Sequence, residues 1–293
     1  MLILTTAQML RTRVRRHQYH IIRPRLLVDG RLGVSENVLS DPAHAGCHEI
    51  LLEGEVTQTP PGFAAIHGDF GTIAGKTVRV AGDDQPWSIV PTETGHSFEL
   101  RAGDKGWHDD GPTQQRSEFA AIYDTFGAGD EVWSSWTTEI DIADGFLQII
   151  SGMSNWGLIA QWHSIDSVTG RSPVVGFDYG NNAFRVVTRS DAEYSNGFAV
   201  EKVRFSESLP VGPVNYVCRF ILGQAGELQV WRNGVEIVNV ECPIGYYNDA
   251  GGLAYLQWGI YRRPTDTRAA VTTSNMRWGL TDLSSKILNP DPV

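Results

Sequence analysis

No stretch of this sequence approaches the roughly 20 consecutive apolar residues that a membrane-spanning helix needs, which excludes a helical membrane span. Cysteine is scarce. Cys47, Cys218 and Cys242 cannot build a disulfide framework, and no metal-type spacing links them. They read as buried apolar side chains, with a bridge between Cys218 and Cys242 left open. Positive charge is in deficit. A formal net charge of −10 argues against nucleic acid as the main partner, because phosphate binding wants a basic surface. An anionic substrate must then rely on local arginines rather than on global attraction. Long helical periodicity is missing beyond the N-terminus, and there is no internal repeat or low-complexity tract.

What is present is a chain of 293 residues, 41% hydrophobic and with nine tryptophans, enough for one large all-β domain or two small ones. The N-terminus places its basic cluster (Arg11, Arg13, Arg15, Arg16) after a short apolar stretch, the reverse of a secretory signal. Residues 7–22 carry a short basic helical pattern, and residues 23–60 mix apolar pieces with Pro and Gly. Residues 1–60 are therefore expected to form an N-terminal arm or small appendage. Pro60-Pro61-Gly62 marks the boundary with the main domain, residues 61–293.

From about residue 63, strand patterns follow one another. Residues 77–80, 97–101, 118–123 and 131–136 come first, then 157–163, 183–188 and 215–222. Residues 226–239 read as a hairpin with Asn233-Gly234 at a type I′ turn. Many short strands at even spacing, with 31 glycines for the turns, predict an all-β jelly roll or sandwich of two stacked antiparallel sheets.

Two of these strands carry chemistry. In Gln161-Trp162-His163, alternation puts Gln161 and His163 on one face and Trp162 on the other. In residues 255–263, Tyr255, Gln257, Gly259 and Tyr261 share one face, while Leu256, Trp258 and Ile260 form an apolar one. Gly259 is expected to leave room for a ligand on the polar side. A His, a Gln and a Tyr facing one groove predict proton transfer on a polar substrate.

Taken in order, the segments 98–104, Gln115-Arg116-Ser117-Glu118, 161–163 and 257–262 resemble polysaccharide lyases similar to heparin lyase I and the jelly-roll alginate and glucuronan lyases. The resemblance spans roughly residues 63–285. It implies a concanavalin-like jelly roll whose concave sheet holds an acidic, uronate-containing polysaccharide and cleaves it by β-elimination. It places Arg116 and Gln161 at the substrate carboxylate, with His163 and Tyr261 handling protons. Removing a C5 proton beside a charged carboxylate is hard, so donors that stabilise the developing enolate-like charge are needed. A base and an acid complete the step. Tyrosine titrates near 10 and acts as a base only beside cations; Arg262, Arg263 and a protonated His163 are the candidates.

One position departs from the pattern. Gln257 stands where heparin-cleaving members have lysine, which favours a non-sulfated polymer such as glucuronan, alginate or a bacterial exopolysaccharide. Glu118 is expected to orient Arg116. Gln257, Tyr255, Arg262, Arg263, Asn182 and His67 are further groove candidates, although a loop role suits His67 equally well. No cofactor is expected; some relatives hold calcium, but no Asp-rich loop here demands it. The chain is expected to act outside the cell or on a phage particle.

Two other readings compete. Glu139, Asp141 and Asp144 resemble the Glu-x-Asp-x-x-Glu of laminarinase-type glycoside hydrolases, but Asp144 is one methylene shorter than the required acid. Retaining hydrolysis needs its carboxyls about 5–5.5 Å apart. An exposed acidic strand edge explains these residues better. A non-catalytic carbohydrate-binding module is the other alternative; the presence of two proton-handling residues counts against it.

Overall fold

The structure, a computed structural model, describes residues 23–26, 32–35, 67–82, 84–106, 114–142, 156–165, 172–180, 183–191, 194–195, 198–246 and 253–289. The chain divides into two units, Met1–Gly54 and Glu55–Val293. In the first, β1 (Arg23–Leu26) pairs antiparallel with β2 (Leu32–Ser35). The helix expected over residues 7–22 lies outside the described residues, as does Cys47.

The second unit begins with β3 (Phe70–Ile73), β4 (Lys76–Gly82), β5 (Ile89–Pro91), β6 (Gly95–Leu100), β7 (Gln115–Phe126) and β8 (Glu131–Ile142). Next come β9 (Gly157–Ile165), β10 (Val175–Gly180), β11 (Ala183–Thr188) and a small pair, β12 (Tyr194–Ser195) and β13 (Phe198–Ala199). Then follow β14 (Lys202–Ser208), β15 (Val214–Ile221), β16 (Glu227–Arg232), β17 (Val235–Glu241), β18 (Leu253–Arg262) and β19 (Ala269–Gly279). A four-residue helix, α1 (Ser285–Leu288), comes last. Among the described residues no helix is long and apolar enough to cross a membrane.

Two large sheets result. One runs β14-β11-β10-β9-β18-β7-β4-β3 and the other β17-β16-β15-β8-β19-β6-β5. Alternation in the sequence explains why they stack. Val78 and Val80 of β4, Phe177 and Tyr179 of β10, and Val132 and Trp136 of β8 are all buried. Their aromatic rings meet across the gap: Phe119 with Phe98, Trp162 with Phe220, and Trp258 with Trp278, at centroid distances of 5.5, 5.1 and 5.2 Å. The fold is the two-sheet jelly roll expected from the strand pattern. Deleting one such large buried ring costs about 3–5 kcal/mol, so this face of each strand is fully committed to packing.

His96 on β6 is a polar exception inside this packing. Its ring stands edge-on to Phe119 at 4.8 Å, and burial lowers its pKa to about 4.

The hairpin turn is as expected: Asn233 and Gly234 have φ of 48° and 79°, the left-handed values of a type I′ turn. Cys218 and Cys242 are separate buried thiols, so the bridge left open by the sequence is not formed. Burial raises the Cys218 thiol well above its ordinary value, which leaves it a packing residue. Strand β19 escapes the sequence pattern because its centre, Thr272-Thr273-Ser274-Asn275, has no apolar alternation. Pairing to β6 on one side and β8 on the other holds it extended.

Candidate active site

Strand β18 lies between β9 and β7, although it follows them by some ninety residues or more. Against β9, its register sets Tyr255 opposite His163 and Gln257 opposite Gln161. Against β7, it sets Gln257 opposite Ala120, Gly259 opposite Glu118 and Tyr261 opposite Arg116. Side chains opposite one another share a face. Phe119, Trp162, Leu256, Trp258 and Ile260 occupy the inward face and pack in the core. Arg116, Glu118, Gln161, His163, Tyr255, Gln257 and Tyr261 are therefore brought together on the outward face. These are seven of the eleven residues singled out in the sequence.

The seven form a buried floor and a more open rim. Arg116, Glu118, Gln161 and Gln257 are buried, while His163, Tyr255 and Tyr261 are partly exposed. Gln161 Nε2 donates to Glu118 Oε1 at 2.7 Å, and Arg116 Nε lies 3.2 Å from Glu118 Oε2. Burial pushes the Glu118 carboxyl above the usual range, while the Arg116 charge and the Gln161 hydrogen bond pull it back down. Glu118 thus lies between two donors, Gln161 Nε2 and Arg116 Nε.

The Arg116 guanidinium lies over the Tyr261 ring, 4.3 Å from its centroid, and Trp156 meets the same ring at 5.0 Å. Burial raises the Tyr261 hydroxyl above its ordinary value, against the opposing charge of Arg116. The phenol is therefore protonated at neutral pH. Tyr255 OH accepts from Gln257 Nε2 at 3.0 Å, and its ring lies 5.7 Å from that of His163. Burial raises this hydroxyl too, while Arg116 and Arg79 lower it and Glu118 raises it. His163 Nδ1 is 2.8 Å from the Ser164 carbonyl. A carbonyl only accepts, so Nδ1 carries a proton, and in the neutral form of the ring the lone pair is on Nε2.

Arg262 is not a groove residue. It is fully buried one step out of phase with Tyr261, where Nε donates to Gln115 Oε1 at 2.9 Å and Nη2 to the Thr267 carbonyl at 2.6 Å. Desolvation lowers its pKa to about 10, and it ties the end of β18 to β7 and the following loop. Its expected influence on Tyr261 comes from Arg116 instead. Arg263 follows the strand and is partly exposed. Gly259 also differs from expectation. It sits at φ 129° in a β-bulge, and a Cβ there would lie 2.2 Å from the Ser117 carbonyl and 2.7 Å from the Phe98 ring. Its bareness serves the backbone and the core rather than a ligand. His67 keeps the loop role: its Nδ1 accepts from the Gly82 amide at 3.3 Å, and its own amide donates to Asp84. Asn182 lies outside the described residues.

Glu139 and Asp141 belong to β8, in the other sheet, and alternate with the inward Trp136 and Thr138. They face outward there, and Thr272 Oγ1 donates to Asp141 Oδ2 at 2.8 Å. Asp144 lies outside the described residues. Among the described residues no cluster of three or more His, Cys, Asp or Glu is placed to hold a metal ion.

Two residues near the site were missed in the sequence. Trp156 precedes β9 and gives no pattern of its own. Arg79 was legible: it stands between Val78 and Val80 in a strand pattern, so it must turn outward with the site residues.

Comparison with known proteins follows the same lines. The family model for polysaccharide lyases matches residues 78–283. No curated protein matches the sequence. Among solved structures, the fold is similar to an endo-β-1,4-glucuronan lyase from the fungus Trichoderma reesei, at TM-score 0.49 and 12% identity, covering 75% of this chain and 94% of that one. It is also similar to an alginate lyase from Pseudomonas aeruginosa, at TM-score 0.46 and 16% identity, covering 66% and 86%. A marine alginate lyase from Zobellia galactanivorans gives TM-score 0.44 and 13% identity, covering 67% and 82%.

Proposed function

The chain belongs to the polysaccharide lyase family, and we propose that it cleaves a non-sulfated uronate polymer by β-elimination on the outward face of β9, β18 and β7. The observation that carries this reading is the register of those strands, which gathers a charged, buried floor beneath a His and two Tyr side chains. Arg116 and Gln161 take the carboxylate of the uronate seated in the cleft. Their donors stabilise the negative charge that builds as the C5 proton leaves. His163 Nε2 accepts that proton. The electron pair forms the C4–C5 double bond, and the bond from C4 to the leaving oxygen breaks. The Tyr261 hydroxyl, protonated at neutral pH, delivers its proton to that oxygen, and solvent returns both groups to their resting states. Two buried acceptors, Gln161 Oε1 and Gln257 Oε1, have no hydrogen-bond partner among the described residues. Sugar hydroxyls are the donors that such acceptors call for.

Gln257 in place of a cation supports a substrate without sulfate. One observation favours a second reading of the acid: the tyrosine opposite His163 is Tyr255, whereas Tyr261 lies six residues further along β18. Incubation with a panel of glucuronan, alginate and other uronate polymers tests the reaction, read by ultraviolet absorbance of the unsaturated product. Reducing ends without that absorbance would mean hydrolysis and would sink the proposal. Comparison of Tyr261→Phe with Tyr255→Phe then assigns the acid.

A further inference from the structure

A row of side chains crosses the outward face of the eight-stranded sheet and continues beyond the site. Gln161 faces Gln257, Gln257 faces Ala120, Ala120 faces Arg79, and Arg79 faces Phe70 on the outermost strand β3. All five share one face. Ala120, between Gln257 and Arg79, contributes only a methyl group and is fully buried among its neighbours. At about 4.8 Å per strand, Arg79 lies roughly 10 Å from Gln257 and Phe70 about 14 Å. Past Arg79 the surface turns aromatic. Phe70 and Tyr123 stack at 5.8 Å with planes 29° apart, and both stay open to solvent, 48% and 65% exposed. Tyr123 comes from the irregular part of β7, where extra residues leave the ladder between Ala120 and Thr125. Local departure from the ladder re-aims a side chain, here onto Phe70. The charge of Arg79 reaches back to the site, since it lowers the pKa of the Tyr255 hydroxyl.

We infer that Phe70, Tyr123 and Arg79 form a distal sugar subsite, in which the aromatic pair carries a pyranose ring and Arg79 takes a uronate carboxylate. This rests on the proposed uronate substrate. The row is continuous with the catalytic floor, so one polymer chain laid across the strands meets both. An exposed aromatic pair offers a flat apolar surface for the C–H face of a sugar. The arginine beside it supplies the cation that position 257 lacks, from a different strand.

The test separates chain lengths. Phe70→Ala/Tyr123→Ala and Arg79→Ala are assayed on long uronate polymer and on the shortest oligomer cleaved, and melting curves accompany both. The ratio of kcat/KM on polymer to that on oligomer should fall about tenfold or more, with the loss in KM. Arg79→Lys should recover part of it. An equal fall on both lengths, or none, overturns the inference. Retardation of the proteins in a gel containing uronate polymer gives a readout independent of turnover. If the variants migrate as the wild type does, the subsite is wrong. If the wild type is retarded, the variants are not, and no unsaturated product ever forms, the subsite stands and the elimination reading fails.

Discussion

On the outward face of the seven-stranded sheet, Arg219 holds Glu131 and Glu227 at 2.9 and 2.7 Å, with those carboxylate side chains 46% and 42% exposed. On the outward face of the eight-stranded sheet, Arg116 and Glu118 meet at 3.2 Å with their side chains 8% and 0% exposed. Both faces carry arginine–glutamate pairs, but the second is far more deeply buried. Water already solvates the two carboxylates of the first group, and salt screens them, so its geometry is weakly enforced. In the second, neither charge has enough water to fall back on. Each must be held by protein groups, which is why Gln161 also bonds Glu118 and why Arg116 lies against Tyr261. Both groups set arginine against glutamate; burial makes the difference.

Substitutions in the group on the eight-stranded sheet, floor and rim alike, should therefore cost most. His163→Ala and Tyr261→Phe should each lower kcat for elimination by about 10²–10⁴, the usual worth of a positioned acid or base, while the melting temperature changes little. Near-wild-type rates in both would break the assignment. Arg116→Ala should slow elimination about 10²–10³-fold. It should also destabilise the fold by about 3–5 kcal/mol, because Glu118 is left as a buried charge without its partner. Urea denaturation of the variant measures the second effect, and Arg116→Ala/Glu118→Gln should regain much of the stability without regaining rate.

The buried and exposed groups should also differ in their response to pH. His96 titrates at about 4 in the fold and near 6.5 in the unfolded chain. Its folded value is the lower of the two, so the stability is fully present above about pH 6.5 and disappears as pH falls towards 4. The total is about 3 kcal/mol. Denaturation midpoints across that window should fall in the wild type and stay flatter in His96→Phe. The smallest effect belongs to the exposed network: Arg219→Ala should cost less than about 1 kcal/mol and leave elimination as it was. A loss of several kcal/mol there would erase the contrast between the faces.

Much of the site was legible because period-two alternation is a property of the chain itself. It placed Gln161 with His163, and Tyr255 with Gln257 and Tyr261, before any strand pairing was known. The same rule covers Arg79 between two valines. It also holds for Arg262, which alternation puts on the inward face away from Tyr261; the groove expectation for that residue set the rule aside, since a cation looked more useful near the phenol than inside the protein. Its burial depends on Gln115 and Thr267, which lie far away in sequence or in a loop without periodicity. Gly259 misled for a related reason. A glycine in a strand marks either a bulge or room for a ligand, and only the position of Ser117 and Phe98 decides between them.

The sequence by itself determined the two-sheet fold, the apolar and polar sides of each strand, and which residue types were available for proton transfer. Those features follow from local geometry, because each side chain's face is set by its neighbours in the chain. Only the tertiary structure decided that β18 inserts between β9 and β7, that Tyr261 meets Arg116 while Tyr255 meets His163, and that the row runs on through Arg79 to Phe70 and Tyr123. Register between strands distant in the chain is chosen by the packing of the whole core, so no local pattern records it.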